Sequence, residues 1–308
     1  MKKNSYFFSV LVAASLFIAC GPKKANEGNA ACNKEGKKEC CDAGEKKCCI
    51  EVPAANGVPA YVIQNKPQAD LADFAVDADG YITIFDGKTF NGWRGYGKNV
   101  MPGKWTIEDG AIKFNGTGGG EAQEADGGDI IFDYKFKNFE LTFDWKVAKG
   151  SNSGVFFLAQ EITTKDENDN ERYEPIYISS PEYQILDNAN HPDALEGKDS
   201  NRQSASLYDM IPAKPQNSKP FGEWNTGAIK VYKGSVFHKQ NGETVVEYHL
   251  WTPKWTEMLQ ASKFSQERWP LAFELLNKLG GENREGYIGL QDHGDDVWFK
   301  NIKVKILD

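Results

Sequence analysis

The chain reads as an all-β, two-sheet antiparallel sandwich or jelly roll, and three observations carry that reading. Phe139 to Val147 alternates strictly: Phe139, Leu141, Phe143, Trp145 and Val147 point one way, and Glu140, Thr142, Asp144 and Lys146 the other. Two pairs of alternating runs are joined by hairpin dipeptides, Asp109-Gly110 and Asn241-Gly242. No strand alternates with a helix in a βαβ pattern, so a parallel sheet is not expected.

The other elements follow in order. Tyr81 to Phe85 is a short strand ended by Asp86-Gly87. Trp105 to Ile107 and Ala111 to Phe114 form the first hairpin, and Asp129 to Phe132 follows a glycine-rich loop. Val155 to Leu158, Glu182 to Leu186 and Ala228 to Tyr232 continue the series, with Val236 to His238 and Thr244 to Leu250 as the second hairpin. Residues 251–279 differ: Trp251, Trp255, Met258 and Leu259 recur at helical spacing, so one or two short helices are inserted there. Tyr287 to Leu290 and Val297 to Ile306 close the domain. Trp93, in a Gly-flanked turn, reads as core.

The N-terminus predicts an address rather than a fold. Lys2 and Lys3 precede an apolar run from Tyr6 to Ile18, which Ala19-Cys20-Gly21 ends. This is the pattern of a bacterial signal sequence. A Cys after a small residue resembles a lipobox, although Phe17 stands where Leu is usual. Cleavage before Cys20 and lipidation of Cys20 are therefore expected, giving an exported lipoprotein on the periplasmic or cell-surface side of a membrane. The run is shorter than the roughly 20 residues of a spanning helix, so the membrane partner is reached through the lipid anchor. Residues 1–19 are the signal peptide, 20–80 a Lys- and Cys-rich tether and linker, and 81–308 the folded domain. The tether is poor in aliphatic residues and cannot offset its ordering entropy. It carries Cys32, Cys40, Cys41, Cys48 and Cys49, in a spacing that matches no zinc pattern. Net charge is -8 with no basic stripe, which excludes nucleic acid as the expected partner. Neither a phosphate-cradling loop nor a dinucleotide fingerprint is present, so no nucleotide cofactor is implied.

The candidate site starts from Gly289-Leu290-Gln291-Asp292-His293-Gly294, where an alternating strand ends in three polar groups. Gln291 and His293 share a face. An imidazole can serve as acid or base near neutral pH, so His293 suits a general base or acid. Glu182 and Gln184 also share a strand face, Glu182 as a second base candidate and Gln184 as a hydroxyl reader. Asp187 ends that strand. Asn152 and Ser153, before Gly154, can bind sugar hydroxyls. Glu223, Trp224 and Asn225 combine a carboxylate, a stacking ring and an amide, and Tyr208 can donate to a sugar or leaving-group oxygen. His191, in Asn190-His191-Pro192-Asp193, can line the rim of a cleft, although a surface histidine is the stronger reading. A divalent cation held by Asp187, Glu182 or His293 is compatible with these residues, though their spacing specifies none. Glu140 and Asp144 offer a rival pair of carboxylates, but their Cα atoms lie about 13 Å apart along an extended strand.

Five segments, in order over residues 81–308, resemble the 3-keto-disaccharide hydrolase family. They are Phe85-Asp86-Gly87-Lys88-Thr89-Phe90-Asn91-Gly92-Trp93, Asn152-Ser153-Gly154-Val155-Phe156-Phe157, Glu182-Tyr183-Gln184-Ile185-Leu186-Asp187-Asn188, Gly222-Glu223-Trp224-Asn225 and the Gly289 to Gly294 run. Lys239 stands where family members often carry an aromatic. The resemblance implies a concanavalin-like jelly roll, often in lipoproteins, that cleaves glycosides already oxidised to a ketone at sugar carbon 3. It also implies a 1,2-elimination followed by hydration, and a separate sugar 3-oxidoreductase that makes the ketone. The alternatives are a two-carboxylate glycoside hydrolase and a non-catalytic carbohydrate-binding module.

Overall fold

The computed structural model describes residues 49–117 and 126–308. The expected signal peptide, Cys20, and the tether residues Cys32, Cys40, Cys41 and Cys48 lie outside the described residues. The first half contains β1 (Ile50–Val52), β2 (Tyr61–Gln64), β3 (Ile82–Thr83), β4 (Trp93–Gly95), β5 (Trp105–Glu108), β6 (Ala111–Phe114), β7 (Ile130–Phe136) and β8 (Phe139–Val147). After these come β9 (Asn152–Ala159), β10 (Glu161–Lys165), β11 (Glu171–Tyr173), β12 (Glu182–Leu186), β13 (Asn225–Tyr232), β14 (Ser235–Gln240) and β15 (Glu243–His249). Helices α1 (Pro253–Ala261) and α2 (Pro270–Asn277) precede β16 (Gly286–Leu290) and β17 (Val297–Ile306).

These strands build the expected antiparallel sandwich. One sheet has the order β12-β9-β16-β7-β4, and the other β15-β14-β13-β8-β17-β6-β5, with β3 paired to β17. Phe139, Leu141, Phe143, Trp145 and Val147 of β8 all face the core, where they join Val155 and Phe157 of β9, Tyr183 and Ile185 of β12, and Ile288 and Leu290 of β16. The period-two pattern of β8 thus decides which face is buried. In contrast, all eight residues of β9 are buried, because its outer face is covered as well. Phe156 there packs with Tyr96, Ile131, Ile176 and Tyr287 in a second apolar cluster.

One boundary differs from the sequence expectation. Residues 50–64, expected as tether, form β1 and β2, and β2 pairs with β10 through Ile63↔Ile162. Ile50, Val52, Val62 and Ile63 are few, and β1-β2 joins the rest of the fold through the edge that β10 offers. A further small sheet, β1-β2-β10-β11, results. Arg94 of β4 holds it to the sandwich. Its guanidinium bonds both oxygens of the buried Glu161 on β10, at 2.7 and 2.9 Å.

The helical insertion packs as its spacing predicts. The Thr252 side chain caps α1 by accepting from Trp255 N, with Pro253 at the first position. Trp255 stacks on Tyr248 of β15 at 5.7 Å and donates to Leu276 O of α2.

His238 of β14 is fully buried among Phe157, Tyr183 and Tyr248. Its Nδ1–H donates to Ala205 O at 2.9 Å. Burial pushes its pKa down from 6.5 to about 4. The folded state therefore releases a proton that the unfolded chain keeps, and stability present above pH 6.5 is lost as pH falls toward 4. The expected loss from this ring is about 3 kcal/mol across that window. Urea unfolding at several pH values should show a shallower slope in His238→Asn, which keeps a donor but cannot titrate. Equal slopes in both proteins would refute the assignment.

Candidate active site

The site is built on the outer face of β12, β9 and β16. Tyr183 and Ile185 point into the core, so Glu182 and Gln184 point out. Gln184 lies opposite Gly154 of β9, and Gln291, just past β16, donates its N–H to Gly154 O at 2.9 Å. Gly154 therefore sits between the two glutamines. A Cβ on Gly154 would come within 2.5 Å of Glu182 Oε1, so the carboxylate leans over the glycine. Gln184 is wholly buried and its Oε1 accepts from Ile185 N. Its Nε2 has no hydrogen-bond partner among the described residues.

A second group of side chains closes one end of this floor. Asn152 begins β9, two residues before Gly154. Its Nδ2 lies 3.2 Å from His293 Nε2, and its main-chain N–H donates to Asp295 Oδ2 at 3.1 Å. The ring of His191 stands perpendicular to that of His293, with centroids 6.0 Å apart. Asp187 shapes the loop that delivers His191. Its carboxylate accepts from Gly150 N, Ala189 N and the Asn190 side chain, and its carbonyl accepts from His191 N. Asp187 thus braces the loop that carries His191, with three donors on its carboxylate.

Tyr208 stands at the other end. The segment 205–208 runs beside β12, with Ala205 N donating to Gln184 O and Tyr208 N to Glu182 O. Arg202 and Lys263 flank the phenol ring, at 5.4 and 4.5 Å from its centroid. Arg202 is itself held by Asp209 and Asp193, both at 2.9 Å. Burial, then the charges of Glu182 and Asp193, push the Tyr208 phenol well above its ordinary range. It stays a proton donor at neutral pH.

A ring nitrogen of His191, one of His293 and an oxygen of Asp295 lie within 4.8 Å of one another. Ligands of a first-row cation stand about 3–3.5 Å apart, given metal–ligand bonds of roughly 2.0–2.2 Å. That spacing falls inside the 4.8 Å bound on the trio, so distance alone does not exclude an ion. His191 Nδ1 also accepts from Asp193 N at 3.1 Å, so the neutral ring carries its proton on Nε2 and has no lone pair there for an ion.

The remaining predicted residues do not converge here. Ser153 turns inward and donates to Gln291 O at 2.8 Å, so it braces the floor instead of reading sugar. Trp224 lies on the solvent face of the other sheet, under Lys300 and Lys146 at 3.9 and 5.1 Å. Asn225 accepts from Lys219 N and Asn241 Nδ2, which makes it a turn brace, and Glu223 is exposed. Strand parity separates these three from His293: β13 belongs to the opposite sheet. Glu140 and Asp144 share a groove of about 510 Å³ on that same face with Lys239 and Lys303, and Asp144 Oδ2 accepts from Asn301. A hollow of about 810 Å³ lies between β1-β2, the helices and residues 280–285. Its buried Lys135 is already tied to Asn65 and Gln160. Volume alone therefore does not select the site; the convergence of polar groups does. Asp295 is the member that sequence reasoning missed, and His191 the one it read first as a surface residue. Their only signal was nearness, Asp295 to His293 and His191 to the Glu182 to Asn188 run.

Comparison with known proteins places the chain in a family. Residues 80–305 match the profile of the 3-keto-α-glucoside-1,2-lyase-like domain. A Bacteroides thetaiotaomicron protein named 3-keto-disaccharide hydrolase is 61% identical over 311 aligned residues, covering 100% of both chains. Two Parabacteroides distasonis crystal structures, both assigned as glycosyl hydrolases, share the fold. One is 27% identical with a TM-score of 0.58, covering 75% of this chain and 95% of its own. The other is 28% identical with a TM-score of 0.52, covering 74% and 99%. The chain thus belongs to the 3-keto-disaccharide hydrolase family, and its polar floor lies within the 3-keto-α-glucoside-1,2-lyase-like domain that the family shares.

Proposed function

We propose that this enzyme cleaves 3-keto-glycosides by 1,2-elimination and then hydrates the product. The observation that carries the reading is one floor with His293 and Asn152 at one end, Glu182 and Tyr208 at the other, and Gly154 between two glutamines. A ketone at C3 makes the C2 hydrogen acidic. His293 takes that proton on its Nε2 lone pair, which Asn152 Nδ2 holds at 3.2 Å until the substrate displaces the amide. The electron pair moves onto the C3 oxygen, then returns and expels the C1 oxygen. Tyr208 gives the leaving oxygen its proton. Glu182 next activates the water that adds to C1, and C2 regains a proton. Gln184 and Gln291 hold ring hydroxyls.

A conventional glycosidase fits less well. Its retaining form needs two carboxyl groups about 5–5.5 Å apart. Asp187 is engaged by three donors, and Glu140 and Asp144 sit on the other sheet, away from the floor that gathers His293 and Glu182. The ketone itself must come from a sugar 3-oxidoreductase. Export and anchoring through Cys20 belong to the same proposal, and incorporation of labelled palmitate that Cys20→Ser abolishes would test the anchor.

The reaction is tested in deuterated water with trehalose and with its 3-keto derivative. Turnover of the keto compound alone, with deuterium entering C2 faster than in free 3-keto-glucose, is expected. Cleavage of unoxidised trehalose would favour a glycosidase. Keto turnover without C2 deuterium would exclude elimination, and binding of either sugar without turnover would leave a carbohydrate-binding module.

A further inference from the structure

We infer that His191 is a further catalytic residue, whose Nε2–H donates a hydrogen bond to the C3 oxygen as the enolate forms. This rests on the elimination reading above. The argument begins with the tautomer. A main-chain N–H can only donate, and that of Asp193 points at His191 Nδ1 at 3.1 Å. The ring must present a lone pair there, so the neutral imidazole holds its single proton on Nε2. Nδ1 is occupied by the backbone, and Nε2 is the nitrogen left to meet a ligand.

The ring is also fixed in place. Pro192 restricts the preceding residue to extended backbone, and His191 has φ -82 and ψ 131. Its own N–H is held by Asp187 O at 3.0 Å. A donor set this way needs little reorganisation when charge develops beside it. Nitrogens of His191 and His293 lie within 4.8 Å of each other. That spacing lets one ring reach the hydrogen on C2 while the other reaches the oxygen on C3, which are neighbouring substrate atoms.

The groups around His191 keep it neutral. Burial, then the adjacent His293, lower its pKa, against the weaker opposing pull of Asp193, Asp295 and Asp187. A second proton would have to enter on Nδ1, against the Asp193 N–H. In the elimination step the C2 proton passes to His293. The pair that bound it forms the C2–C3 double bond, and the C3 oxygen takes negative charge. His191 keeps its proton and shares it with that oxygen until the C1–oxygen bond breaks and the ketone reforms.

Two substitutions separate this role from loop structure. His191→Asn can still accept from Asp193 N but has no group where Nε2 stood; His191→Gln places an N–H near that position. His191→Asn is expected to lower kcat for the 3-keto substrate by about 10²–10³-fold with KM little changed. His191→Gln should recover at least part of that loss. Nitrogen-15 spectra of the wild type should show a neutral, Nε2-protonated ring at neutral pH. A wild-type kcat in His191→Asn, or an Nδ1-protonated or cationic ring, would overturn the inference. If the wild type exchanges the C2 hydrogen and His191→Asn does so at the same rate, this role alone falls. If the wild type exchanges none, the elimination reading falls first and takes the role with it.

Discussion

Replacing His293 by Ala is expected to lower kcat on a 3-keto-glycoside by about 10²–10⁴-fold, the usual contribution of a positioned acid–base group. KM should change far less, because Gln184 and Gln291 still hold the hydroxyls. Loss of C2 deuterium exchange should match the loss of turnover, since both need the same proton removed. The fold should survive. The turn carrying His293 is held by Asp292, whose carboxylate accepts from Gly128 N at 2.7 Å and Gly294 N at 2.9 Å. Asp292 thus points away from the floor and does structural work there. Asn152→Ala should give a smaller fall in the same direction, because that amide orients the His293 ring. Exchange in His293→Ala within tenfold of the wild type would remove the base assignment.

Arg94→Met is expected to destabilise the fold by about 3–5 kcal/mol, the cost of removing the main partner of a buried carboxylate. Glu161 is wholly buried. Besides the two Arg94 bonds it receives Gly97 N at 2.7 Å and Lys66 Nζ at 3.3 Å. Burial pushes the Glu161 carboxyl up, but the Arg94 bonds and charge outweigh burial, so its pKa lies below the ordinary 4.5. The stabilisation is therefore present above that pH and lost as pH falls through the lower folded value. Without Arg94 the sign reverses, because a buried carboxyl lacking its main partner resists ionising. Urea unfolding at neutral pH measures the loss directly. Adding Glu161→Gln should return part of it, since the stranded charge is then gone. A loss under about 1 kcal/mol in Arg94→Met would show that water reaches the carboxylate, contrary to its burial.

The strands whose faces differ were the readable ones. β8 and β12 run from Phe139 to Val147 and Glu182 to Leu186, as their alternation predicts. β17 likewise spans Val297 to Ile306. β9 extends beyond the expected Val155 to Leu158 because both its faces are buried and no alternation marks its ends. β1, β2, β10 and β11 gave little signal: they are short, and the pairing that joins the two hairpins, Ile63↔Ile162, links segments far apart in the chain. The same contrast holds in the site. Glu182, Gln184 and Gln291 were legible from parity alone. Ser153 and Trp224 were assigned to the ligand because a motif names residue types without saying which sheet carries them.

Alternating hydrophobicity and hairpin dipeptides, both local properties, were enough by themselves to determine the sandwich, its helical insertion and the outward face of Glu182 and Gln184. The five ordered motifs determined the family. Only the tertiary structure decided that His191 and Asp295 meet His293, that Asp187 braces a loop, and that Glu161 is buried against Arg94. Those contacts join segments from different strands and loops. Their energies depend on burial and on partners that no window of sequence contains.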